Sequence, residues 1–132
     1  MKNLKILFSV LLLSIFALSC SSDSSGGTKV KYQINGIDDT ITQVNYKNGD
    51  GNIISATANQ FGGNSDSKTV KVPDSELPFT AQMNISANNT TATVKHYDLL
   101  IYVNGEVKAE TNFSAPPNAT SSSGTVSFII TE

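Results

Sequence analysis

PFTAQMNISA, residues 78–87, decides the fold. Phe79, Ala81, Met83, Ile85 and Ala87 fall on one side of an extended chain, and Thr80, Gln82, Asn84 and Ser86 on the other. Strict alternation is the period of a strand with one dry and one wet face. A helix would repeat its apolar residues every three or four positions instead. Towards the C-terminus, NN at 88–89 reads as a turn, and VKHYDLLIYV (94–103) is a strand apolar enough to be central in its sheet. Asn104–Gly105 then joins it to EVKAETNF (106–113), the two-residue signal of a hairpin whose central residues both need positive φ. SAPPNATSSSG (114–124) reads as a long polar loop, and GTVSFII (124–130) as a last strand with Val126, Phe128 and Ile130 inward.

The same period runs back towards the N-terminus. KTVKV (68–72) is a short strand ended by Pro73, and NQFGGNSDS (59–67) is a loop by composition. NIISATA (52–58) returns through the NGDG turn (48–51) against TQVNYK (42–47), whose Thr42, Val44 and Tyr46 point inward. KVKYQING (29–36) places Val30, Tyr32 and Ile34 on its dry side. About eight short strands and no helix predict an all-β fold of antiparallel sheets, each with one wet face. A β-sandwich fits strands so short and unequal better than a small barrel does.

The first residues are of another kind. Lys2 and Lys5 precede an apolar run over residues 6–18, interrupted by Ser9 and Ser14. About 13 residues is the length of a signal-peptide core and falls short of the roughly 20 that span a bilayer. The run ends at ALSC (17–20), which holds the only cysteine of the chain. Cys20 has no partner for an internal disulfide, and Ser19, Ser21, Ser22 and Asp23 around it argue against burial. ALSC resembles the lipobox of bacterial lipoproteins. That resemblance implies removal of residues 1–19 and attachment of lipid to Cys20, including palmitate. Two or more acyl chains hold a protein on a membrane, whereas one does so only marginally. Residues 20–28 then form a Ser/Gly tether, and 29–132 a single domain.

Charge narrows the partners. The chain has 9 basic and 11 acidic residues, and Lys2 and Lys5 leave with the leader. No lysine-rich run exists and arginine is absent. Binding to nucleic acid, which depends on neutralising phosphates, is disfavoured.

Motifs for chemistry are sparse. His96, the only histidine, reads as an ordinary strand residue, and no G-x-S-x-G elbow accompanies it. NGDGN (48–52) begins like a calcium loop, but Ile53 stands where its glycine belongs and Asn59 where its glutamate belongs, so no metal site is assigned. Tyr32, Tyr46, Tyr97, Tyr102 and Phe61 offer a sugar-stacking face, yet Tyr32 and Tyr46 lie on the dry phase and read as core. Tyr102 is out of phase with Leu99, Ile101 and Val103. With Leu100 it makes a candidate interaction patch, unless the strand is covered on both faces. No catalytic residue and no cofactor is assigned, and the chain reads as a non-enzyme.

Two further resemblances carry expectations. VKYQING, ITQVNYKNGDG, ELPF, NISA and LIYVNGEVKAE, in order over roughly residues 30–113, resemble the mycobacterial membrane protein small family (MmpS). That family implies a compact immunoglobulin-like β-sandwich on a membrane anchor and a role assisting a large envelope transporter. The chain departs from its pattern in having Phe79 for a tryptophan, no cysteine pair, and a lipobox for a membrane helix. CSSDSS (20–25) is similar to lipoproteins of Bacteroidota, which implies an outer-membrane location on the periplasmic or the surface face. DTI (39–41) resembles the short motif those bacteria O-glycosylate, making Thr40 a candidate attachment site against the plainer reading of a strand-start threonine. The expected function is a lipid-anchored binding or accessory protein of the envelope, or alternatively a surface module for glycan, ligand or adhesion.

Overall fold

The computed structural model describes residues 26–62 and 65–132. The leader, Cys20 and most of the tether lie outside them. Among the described residues, eight strands form two four-stranded antiparallel sheets packed face to face. β1 (Thr28–Asn35), β4 (Ser67–Val72), β6 (Lys95–Val103) and β7 (Glu106–Ala115) make the first sheet, in the order β4-β1-β6-β7. β2 (Ile41–Lys47), β3 (Ile53–Ala56), β5 (Phe79–Asn89) and β8 (Ala119–Ile130) make the second, in the order β3-β2-β5-β8. Only the hairpins β2–β3 and β6–β7 stay within one sheet. Every other connection crosses between sheets, and the core lies between the two inner faces.

Alternation places that core. Val30, Tyr32, Ile34, Leu99 and Ile101 of the first sheet meet Val44, Ala81, Met83 and Ile85 of the second, all fully buried. The hairpin at Asn104–Gly105 has φ of 50° and 90°, the left-handed pair its sequence demands. β6 is central in its sheet, as its apolar content predicts. Phe113 stacks on Tyr97 with ring centroids 5.8 Å apart and lies over Gly124, where a Cβ would come within 2.7 Å of the Phe113 ring. The glycine in β8 is what lets an aromatic ring cross from the other sheet.

Four local expectations are corrected. Residues Ala58–Gly62 form a short helix, α1, which takes the last residue of the strand expected over 52–58 and the start of the loop expected over 59–67. Thr57 and Gln60 make a reciprocal capping box: Gln60 N–H donates to Thr57 Oγ1 (3.3 Å) and Thr57 N–H to Gln60 Oε1 (3.0 Å). The helix turns Phe61 into the core, edge-on to Tyr46 at 5.5 Å. The segment 114–124 is mostly strand, because β7 runs to Ala115 and β8 starts at Ala119. Its Ser and Thr residues pair with β5 through backbone groups, which needs no apolar side chain at a sheet edge. Asn88–Asn89 is the end of β5 and not a turn. Thr42 is exposed, because the register shifts between Ile41 and Gln43 and turns Ile41 inward in its place. Thr28, the last residue of the segment 20–28, is buried and paired with Val72.

Candidate functional site

Two kinds of polar constellation occur in the sandwich. The first faces outward from the second sheet. β2 presents Gln43, Asn45 and Lys47, β5 presents Gln82 and Asn84, and β3 presents Ile53 and Ser55. Register sets them side by side: Ser55 opposes Asn45, Asn45 opposes Asn84, and Asn84 opposes Thr125 of β8. These residues, with Tyr46 behind them, line an open groove of about 380 Å³. Thr42, Gln43, Ser55, Ala56, Thr57 and Gln60 line an adjoining one of about 340 Å³. Gln43 and Ser55 border both, so the depression continues along the β2–β3 side of the sheet.

The amides of the groove are only partly engaged. Asn45 Oδ1 accepts from Ser55 Oγ (2.7 Å) and Gln43 Nε2 (3.2 Å). Asn84 Nδ2 donates to Thr125 Oγ1 (2.8 Å) and the Gly124 carbonyl (3.2 Å). Those bonds fix the orientation of both amides. Asn45 Nδ2, Asn84 Oδ1, Gln43 Oε1 and the whole Gln82 amide make no hydrogen bond within the described residues. Each amide can serve a ligand as donor or acceptor. Among the described residues Lys47 is the only charged one of the lining, and Ile53, 66% exposed, is its apolar wall.

The second kind faces inward. At one end of the sandwich Asp38, just before β2, accepts from Thr40 N–H (3.0 Å), from Thr40 Oγ1 and from Tyr97 Oη (3.2 Å). Thr40 Oγ1 also bonds the Tyr97 hydroxyl, and Lys95 Nζ pairs with Asp38 Oδ2 at 2.9 Å. Burial pushes the Asp38 carboxyl up, but the bonds from Thr40, Lys95 and Tyr97 outweigh it and hold it below the usual carboxylate range. Burial raises the Tyr97 phenol, and the Asp38 hydrogen bond raises Lys95. Every member serves another, so the cluster locks the β1–β2 crossover onto β6. Asn89 does the same elsewhere. It is fully buried, shares its two Nδ2 hydrogens among the carbonyls of Thr93, Ala115 and Pro116 at 2.8–3.0 Å, and accepts from Thr91 N–H and Oγ1. It ties the β5–β6 loop to the β7–β8 turn.

The residues singled out from sequence fall as follows. Thr40 is buried with its hydroxyl bonded to Asp38 and Tyr97, so the folded domain does not present it for O-glycosylation. Leu100 and Tyr102 do not form an exposed patch. Leu100 is buried on the outer face of the first sheet, flanked in register by Gln33 and Glu110. Tyr102 is half-buried beneath Lys31, whose Nζ sits 3.8 Å from the ring centre. Long side chains of neighbouring strands cover what the apolar phase alone left bare. Tyr32, Tyr46, Tyr97 and Phe61 are core. His96 is exposed, its Nδ1 2.9 Å from Ser114 Oγ on the adjacent strand. Asn48 spends Oδ1 on the N–H groups of Asp50 and Asn52, which closes the NGDGN turn on itself. Cys20 is outside the described residues. Sequence reading missed the groove. Its residues are visible as wet-phase amides, but their adjacency depends on strand order.

A scan against protein-family models finds no match to the chain. A search of curated proteins returns no match either.

Proposed function

We propose that the chain is a lipoprotein of a bacterial envelope, with residues 1–19 removed, Cys20 lipidated, and the sandwich serving as a non-catalytic binding domain held off the membrane by a Ser/Gly tether. The observation that carries the binding role is the open groove on the second sheet, where oriented amides keep unused donors and acceptors. Ligand sites pair a concave surface with a few placed polar groups. The lone cysteine after a short basic and apolar leader supports the anchor. The domain works in the outer membrane as a surface module, and the accessory role beside an envelope transporter is the competing outcome.

Mass spectrometry of the mature N-terminus and protease treatment of intact cells, with a tag after Glu132, test this reading. The expected mature chain begins at an acylated Cys20, Cys20→Ala abolishes acylation, and the tag is cleaved on intact cells. An unacylated Cys20 in the wild type overturns the anchor. Cleavage only after lysis overturns the surface module and leaves the periplasmic accessory role.

A further inference from the structure

We propose that the groove over Gln43, Asn45, Ser55, Gln82 and Asn84 binds a neutral oligosaccharide chain. The inference rests on the binding-domain reading and names the ligand class of its site.

Sugar hydroxyls are donors and acceptors at once, and so are primary amides taken as whole groups. Four amides from two adjacent strands face the same depression. Two of them are held by neighbours that leave their opposite ends open: Asn45 through its Oδ1, and Asn84 through its Nδ2. A site already oriented in the free protein loses less freedom when a ligand arrives. Ile53 gives the C–H face of a sugar ring an apolar wall, and Tyr46 backs the groove from the core.

Charge decides against the other polymers. A phosphorylated or uronic acid chain needs several cations, and the lining has Lys47 alone. A peptide strand draws affinity from main-chain pairing at a sheet edge and from pockets for alternate side chains. Of this lining only Ile53 and Ser55 come from an edge strand, β3, and its amide groups are side chains on the faces of β2 and β5. Its continuity with the second depression, past Gln43 and Ser55 to Gln60, fits a chain of several sugars better than one. Without an exposed aromatic anchor each contact is weak, with a Kd on the order of millimolar. Many copies anchored through Cys20 on one surface would bind a polymer by avidity.

The test uses the full chain, ¹⁵N-labelled in detergent micelles. It is titrated separately with maltohexaose, cellohexaose, mannohexaose and xylohexaose, and in comparison with hexagalacturonate and a decapeptide of mixed sequence. The side-chain NH₂ signals of Gln43, Asn45, Gln82 and Asn84 report directly on the groove. At least one neutral hexasaccharide is expected to shift them saturably, and Asn45→Ala with Gln82→Ala to weaken that binding about tenfold or more. Tyr97→Phe, in the inward polar cluster and outside the lining of both depressions, should leave it unchanged. Failure of all four sugars to move these signals overturns the proposal, as does a sugar response mapping to another surface. Saturation of the groove by the peptide or the acidic chain instead overturns the ligand class and leaves the binding-domain reading standing. Loss of acylation at Cys20 bears on the anchor alone.

Discussion

The inward polar clusters and the outward amide groove use similar side chains to opposite ends. Asn89 and Asn45 are both strand asparagines, but Asn89 is fully buried and bonded to five partner atoms, whereas Asn45 is half-exposed and keeps its NH₂ unused. A buried polar group must be satisfied or it costs the fold. An exposed one is served by water and can exchange water for a ligand. Saturation therefore marks the groups that hold this sandwich together, and incomplete saturation on an oriented, concave face marks the groups free to bind.

Five substitutions sharpen or break that contrast. Asn89→Ala should have the largest effect. It removes the partner of the Thr91 N–H and the Asn89 share of the Thr93, Ala115 and Pro116 carbonyls around a fully buried side chain, and the unfolding free energy should fall by roughly 3 kcal/mol. A urea midpoint close to wild type would show that water replaces Asn89 and that its saturation carries no weight. Tyr97→Phe and Asp38→Asn come next, each with an expected loss of about 1–3 kcal/mol. Because the Asp38 carboxyl is held low in the folded chain, its contribution is complete above the unfolded pKa of about 4 and is lost as the pH falls through the lower folded value. Asp38→Asn should flatten that acid limb of the stability curve, and an unchanged limb would contradict the assignment.

Tyr32→Phe should act in the opposite direction. The Tyr32 hydroxyl is buried with no hydrogen-bond partner among the described residues, and burial raises its phenol far above the ordinary value. The Gln82 backbone lies beside it and offsets only part of that shift. Removing the oxygen should leave stability equal or raise it by about 1 kcal/mol. A clear loss would mean the hydroxyl is served after all. Gln82→Ala should do least to the fold, within about 0.5 kcal/mol, since its side chain is exposed and makes no internal bond.

Alternation made most of the fold legible. Residues 78–87 gave the dry face of β5, and Asn104–Gly105 its neighbouring hairpin, because both signals are local. What stayed hidden was short or lateral. The α1 helix is five residues long, too short for a 3.6-residue period, and only the Thr57-x-x-Gln60 capping pattern announced it. The polar start of β8 looked like a loop because backbone pairing along an edge leaves no apolar mark. Asn89 carries a local turn signal, since its Oδ1 accepts from Thr91 N–H two residues on, whereas its bonds to the Ala115 and Pro116 carbonyls depend on tertiary structure. The groove was half legible. Gln82, Asn84, Gln43 and Asn45 stand in the wet phase of their strands, but that β2 lies beside β5 is a fact of sheet order.

The contrast is tested most directly by measuring urea stability and oligosaccharide binding on the same two variants, Asn45→Ala/Gln82→Ala and Tyr97→Phe. The groove variant should keep its urea midpoint and lose binding, and the cluster variant should lose stability and keep binding. A groove variant that unfolds early while still binding, or a cluster variant that binds no sugar while remaining as stable as wild type, would contradict the division between groups that hold the sandwich and groups that bind.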